Sequence, residues 1–256
     1  MKNLRIAAIA LALLLLGGVA SAADFGGMRI SLAEGDVQIN TPETKDWGRA
    51  APNTPLAEGD QLWVPAGGRA EVQLSAGTMV RLDQNSALQV LSLDKGGAQF
   101  YLERGNAYVY HEPSRSTLIQ IDSPDASVRT SARSVFRLDI SDHATDVGVY
   151  KGSVEAENRA GATRVNAGQT LSLGTDTPGN ISAMGAPDAW ERWNKQRNDR
   201  LFASAGANSR YLPSELRSYS SDFDGNGRWV EVPEYGYVWT PTAIVRETWV
   251  PYRYGR

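Results

Sequence analysis

The 256-residue sequence contains no cysteine and only two histidines, His111 and His143. Neither a disulfide framework nor a thiol nucleophile nor a cysteine-ligated metal site is available, so stability must come from an ordinary hydrophobic core. Neither histidine stands in an HExxH pattern, which removes the commonest zinc-hydrolase arrangement. Basic residues are not in excess: 26 Lys and Arg against 29 Asp and Glu give a formal net charge of −3. Nucleic acid is therefore not an expected partner, because phosphate neutralisation needs a clustered cationic face. There is no G-x-S-x-G, no P-loop and no dinucleotide fingerprint. Ser92-Leu93-Asp94-Lys95 fits S-x-x-K, but no SDN or KTG accompanies it, and it reads as a chance match.

What the chain does have begins with a leader. Lys2 and Arg5 precede an apolar run from Ile6 to Leu16, and Ala20-Ser21-Ala22 supplies small residues for cleavage. The pattern predicts a secretory signal peptide over 1–22, and the run is short for a spanning helix of about 20 residues. A periplasmic or secreted protein is expected, with no stable membrane insertion after cleavage.

From Met28 onward, short alternating runs are separated by turn residues. The clearest is Gly68 to Leu93, in which Thr78, Val80 and Leu82 face one way and Met79 and Arg81 the other. Strands are expected near 37–39, 61–64, 70–74, 78–82, 87–93, 98–102, 107–110, 117–121, 126–129, 135–140, 146–150, 153–156, 163–165 and 170–173. Triplets such as Glu58-Gly59-Asp60, Arg104-Gly105-Asn106 and Lys151-Gly152-Ser153 read as chain reversals between them. The fold expected is mainly β: a compact, many-stranded, antiparallel-rich domain over 23–178, built as a sandwich or a short solenoid.

The series EGDVQI, DWGRAAPNTPLAEGDQLWV, GRAEVQLSAGTMVRLDQNSALQVLSL, LERGNAYV, IDSPDASV, SVFRLDI, VGVYKGSVE and VNAGQTLSL resembles the FecR domain in its full order, from Met28 to about Leu173. The resemblance implies a periplasmic all-β domain. The best-understood members of that family relay signals from an outer-membrane receptor to a sigma factor, through a cytoplasmic anti-sigma region and a transmembrane helix ahead of the domain. Here a signal peptide stands in that place, so the resemblance implies binding or sensing without an anti-sigma region of its own.

A polar stretch around Pro178-Gly179 reads as linker, and 179–209 as linker and helix. Pro187 opens a helical pattern in which Trp190 and Trp193 are expected to pack it onto the β domain, and Ala203 to Ser209 is expected to end it. From 210 onward the composition shifts to a small aromatic-rich unit of strands and turns. Trp229, Trp239 and Trp249 are ten residues apart, Trp-x-Pro recurs, and Gly227-Arg228 returns as Gly255-Arg256. This is the pattern of a repeat cut off in its second copy, and it leaves open whether the natural chain continues beyond Arg256. The segment also resembles an uncharacterised Trp/Tyr-rich module that follows FecR domains in exported proteins. Trp229, Tyr235, Tyr237, Trp239 and Trp249 are the candidate residues for binding an envelope protein or polysaccharide, although such rings also serve as core.

Asp222, Asp224 and Asn226 with Gly227 match the first half of a calcium loop, but the twelfth position is Pro233 instead of glutamate. A turn is the expected reading and calcium the alternative; no cofactor is expected. The function expected is non-catalytic binding or sensing in the envelope. The alternative is an envelope glycan hydrolase using unidentified carboxylates, whose spacing in three dimensions leaves no linear motif.

Overall fold

The computed structural model describes residues 27–74, 77–94, 96–113, 116–142, 144–213, 219–220, 222–223 and 227–242, with backbone alone over 202–207. The expected signal peptide, Lys95, His143, Asp224, Asn226 and Trp249 lie outside the described residues. The chain divides into two compact units, one ending at Met184 and the other starting at Gly185. No helix among the described residues is long and apolar enough to cross a membrane.

In the first unit the strands are β1 (Met28–Glu34), β2 (Gln38–Asn40), β3 (Trp47–Arg49), β4 (Gln61–Val64), β5 (Arg69–Leu74), β6 (Thr78–Leu82), β7 (Ser86–Asp94) and β8 (Gly97–His111). There follow β9 (Leu118–Asp122), β10 (Ser127–Thr130), β11 (Ser134–Ile140), β12 (Thr145–Lys151), β13 (Ser153–Asn158), β14 (Gly161–Asn166), β15 (Gln169–Leu173) and β16 (Asn180–Ala183). They form two ladders that meet in β8. One runs β1-β5-β6-β8-β11-β12-β15-β16 and the other β3-β2-β4-β7-β8-β9-β10-β13-β14. Among the described residues all pairings are antiparallel except β8 with β9. Inward residues of both ladders, among them Ile30, Val72, Val80, Phe136 and Leu171 from one and Leu62, Leu88, Phe100, Ile121 and Val154 from the other, belong to a single buried cluster. The mainly β fold follows from this: each sheet hides an apolar face, and facing two such sheets removes both from water.

β8 replaces two expected strands and an expected reversal. Its first half pairs with β7 and β9, and its second half, from Gly105 on, pairs with β6 and β11. Arg104-Gly105-Asn106 is thus a bend within one strand of 15 residues, not a turn between two. Gly105 has φ +83°, and a Cβ there would lie 2.3 Å from Ser86 Oγ and 2.6 Å from Ser86 Cα. Only glycine provides both the conformation and the clearance. Glu58-Gly59-Asp60 is a true turn: Gly59 has φ +89°, and Asp60 accepts the Ala57 N–H at 2.8 Å.

The alternation read in β6 is observed, since Thr78, Val80 and Leu82 are buried on one face. The opposite face differs from the half-buried expectation. Arg81 and Glu71, neighbours across β6 and β5, are 0% and 1% exposed and form an ion pair at 2.6 Å. Ser31 donates a further hydrogen bond to the Glu71 carboxylate at 2.6 Å, and the guanidinium lies 5.8 Å from the Tyr108 ring centroid. Mutual neutralisation is what makes burial of these two charges tolerable. Three strands were not expected. β1 and β3 flank the first turns, and β16 lies in the stretch read as linker, pairing with β15 so that the sheet runs past Pro178.

The second unit contains α1 (Ala189–Asn208), a 3-10 turn over Ser209–Tyr211, and a hairpin of β17 (Gly227–Val232) and β18 (Gly236–Pro241). Asp188 caps the helix by accepting the Glu191 N–H at 2.7 Å, which places Pro187 just before the helix and not in its first turn. The helix also continues through Ala203 to Asn208, where it was expected to end. Alanines at 203, 205 and 207 favour helix enough to carry it across Gly206.

Candidate functional site

On the second ladder, the residues between the buried positions of β4, β7 and β8 point away from the core. Gln61 and Trp63 alternate with buried Leu62 and Val64, Gln89 lies between Leu88 and Val90, and Tyr101 lies between Phe100 and Leu102. Strand register then gathers them into a row. Trp47 is opposite Asn40, Asn40 opposite Gln61, Gln61 opposite Gln89, and Gln89 opposite Tyr101. At the inter-strand spacing of ~4.8 Å, the four steps from Trp47 to Tyr101 span about 19 Å. A groove of about 530 Å³ follows this row, lined by Trp47, Trp63 and Tyr101, by Gln61 and Gln89, and by Glu103 and Arg104.

The two halves of this face differ in how their polar groups are used. Beyond Tyr101, Gln99 and Gln120 donate to the Asp122 carboxylate at 2.6 and 2.9 Å. Arg129 is tied to Glu155 and, at 3.2 Å, to Glu157, and the pairing with Glu155 chiefly raises its pKa. On the groove side, the side-chain amides of Gln61 and Gln89 have no intramolecular partner among the described residues. Glu103 and Arg104 pair with each other at 3.0 Å, leaving the lining close to neutral. Trp47, at 48% exposure, stands open at the rim of the sheet. The groove therefore offers flat apolar rings and unused donor-acceptor amides, a combination suited to holding a guest.

Residues 60–155 match the FecR protein family model. The FecR match includes β4, β7 and β8, which carry most of the groove, while Trp47 on β3 precedes it and the aromatic-rich segment lies past its end. Two crystal structures of one candidate anti-sigma factor from Parabacteroides distasonis ATCC 8503, at 1.65 and 2.50 Å resolution, are similar to this FecR-like chain. Each shares 18% identity, covers 49% of this chain and has a TM-score of 0.42. This chain spans 59% of the length of those structures. Comparison with curated proteins gives no match.

Trp229 and Trp239 face each other across the β17–β18 hairpin, so the spacing of ten residues is that of a strand, its turn and the return. Trp229 stacks on Tyr211 with ring centroids 4.9 Å apart and donates its indole N–H to Asn208 at 3.0 Å. Phe223 packs on both tryptophans, at 5.7 and 5.4 Å, and Tyr237 on Tyr211 at 4.7 Å. The tryptophans are half-buried and form the core of the hairpin, whereas Tyr235 and Tyr237 are 76% and 53% exposed. Asp222 is exposed in a short 3-10 turn with Phe223.

The shifted ionisations lie away from the groove. Burial lowers the His111 pKa, opposed by its hydrogen bond to the Thr117 carbonyl; the other ring nitrogen is 2.7 Å from the Thr78 hydroxyl. Burial would raise Glu112, but bonds from Lys151 and Tyr110 prevail and lower it. Burial, then the bond to Glu112, raises Tyr110 well above the usual phenol range. Burial also raises Asp60, against the bond from Ala57. Sequence reasoning missed the groove because its residues lie on separate strands. The available signal was the polar side of each alternating run, where glutamine and aromatic residues replace the charged residues usual on a solvated face.

Proposed function

We propose that this FecR-like chain is a non-catalytic exported protein that binds or senses a component of the bacterial envelope through protein or polymer contacts. The observation that carries the reading is the groove on β3, β4, β7 and β8, whose rings and amides, without a partner among the described residues, are equipped for recognition. Among the described residues its lining has one carboxylate, Glu103, paired with Arg104, whereas glycoside hydrolysis uses two carboxyl groups facing one bond. The FecR match supports a sensing or regulatory role.

The test pairs capture with turnover. Immobilised protein is exposed to periplasmic and envelope extracts, with a Trp47→Ala/Tyr101→Ala variant alongside, and the soluble protein is incubated with peptidoglycan. Retention of an envelope component by wild type and not by the variant is expected. Reproducible release of fragments from peptidoglycan, abolished by one Asp or Glu substitution, would overturn the non-catalytic reading.

A further inference from the structure

We propose that the groove over β3, β4, β7 and β8 is a binding site for an uncharged glycan chain. The assignment rests on the binding reading above and adds the chemical class of the guest. A pyranose ring has an apolar C–H face and a rim of hydroxyls that each donate and accept. Trp47, Trp63 and Tyr101 offer flat faces for the first, and Gln61 and Gln89 offer a donor and an acceptor apiece for the second. The amides are aligned by strand register, Gln61 opposite Gln89, and aromatic rings stand at both ends of the row. A row about 19 Å long suits several consecutive sugar units better than a single one.

Other guests fit the same surface less well. An anionic polymer needs a net cationic surface, and here Arg104 stands beside Glu103, 3.0 Å away, so the lining is close to neutral. A peptide adding as a strand needs unpaired main-chain groups, but β4, β7 and β8 each pair on both sides, and the free edge of β3 is only three residues long. Burial of the amides under an apolar guest would leave their hydrogen bonds unmade, at a cost that hydroxyl partners remove. The contrast along the face is the strongest point: Gln99 and Gln120 are tied to Asp122, while Gln61 and Gln89 have no such partner among the described residues.

The test is titration calorimetry on the full chain with chitohexaose and cellohexaose, followed by chromatography of the saccharide. Saturable binding of at least one is expected. Trp47→Ala and Gln89→Leu should each weaken it about tenfold, as removal of a central contact does. Lys195→Ala, exposed on the helix of the other unit, should leave it unchanged. Trp47 is at an exposed position in a three-residue strand, so its replacement preserves the fold. The glycan assignment is overturned if neither saccharide binds at ~10 mM, or if Trp47→Ala binds as wild type does. Groove-dependent binding of a proline-rich decapeptide in place of both saccharides also overturns it, because aromatic grooves take such segments too. Failure here with groove-dependent capture from extracts intact removes only the glycan assignment. Shortening of a bound saccharide removes the non-catalytic reading and leaves the groove as its site.

Discussion

Replacing Arg81 by methionine should destabilise the protein by about 3–5 kcal/mol, the range for breaking a buried ion pair by removing one partner. The guanidinium and the Glu71 carboxylate are 0% and 1% exposed and 2.6 Å apart. Two unit charges about 4 Å apart attract by about 4 kcal/mol at an effective dielectric of ~20, which agrees with that range. Glu71→Gln should cost a similar amount, because it leaves the guanidinium buried without its counter-charge. Glu71→Leu/Arg81→Met should recover most of the loss, since an apolar pair no longer carries the desolvation penalty. The assay is urea unfolding followed by far-UV circular dichroism on wild type, both single variants and the double variant. The pH dependence is a second check. In Arg81→Met, burial without a cation raises the folded-state pKa of Glu71 above its unfolded value. That variant's deficit should therefore be smallest below the ordinary carboxylate range and grow as pH rises through the raised value. A loss under about 1 kcal/mol for Arg81→Met, or a double variant as unstable as the two singles combined, would mean that the pair is not a buried, mutually dependent unit.

Gly105→Ala should cost about 2–5 kcal/mol, combining a left-handed φ with a Cβ against the Ser86 backbone. Gly67→Ala, with positive φ but open space around it, should cost only about 1–2 kcal/mol; urea midpoints would separate the two. His111 has a folded pKa below its unfolded value, so the unfolded chain takes up protons first, and stability should fall as pH drops below about 6.5. In His111→Gln that dependence should flatten, as read from unfolding midpoints between about pH 5 and 7.5. Trp229→Ala should cost the second unit about 2 kcal/mol, and Tyr235→Ala less than about 0.5, measured by thermal melts with near-UV circular dichroism.

The strands from Gln61 to Leu173 were legible because alternation is a local signal, and turn residues bound each run. The Arg104-Gly105-Asn106 bend was not, since a glycine at positive φ looks the same in a reversal and in a continuous strand. Only the proximity of Ser86, far away in sequence, distinguishes them. β16 was missed for a related reason. As an edge strand with all four residues exposed, it has no buried side to impose alternation, and it looks like linker. In β6, alternation correctly divides the faces, but the burial of Arg81 is not legible because its partner Glu71 is on another strand. The aromatic spacing of 229 and 239 pointed to a real relation, a cross-strand pair, although the rings serve chiefly as core. The groove combines residues from four strands, and no window of sequence contains enough of them to announce it.

One strand, Gly97–His111, supplies rungs to both ladders. Where they meet, the two sheets are one continuous backbone, so they cannot part there without breaking the chain itself. A guest resting against Tyr101 leans on the same length of backbone that ends at His111, beside Thr78 and Thr117. A load applied at the groove is thus borne along covalent bonds as well as hydrogen bonds to the far sheet, and the domain should yield as one piece.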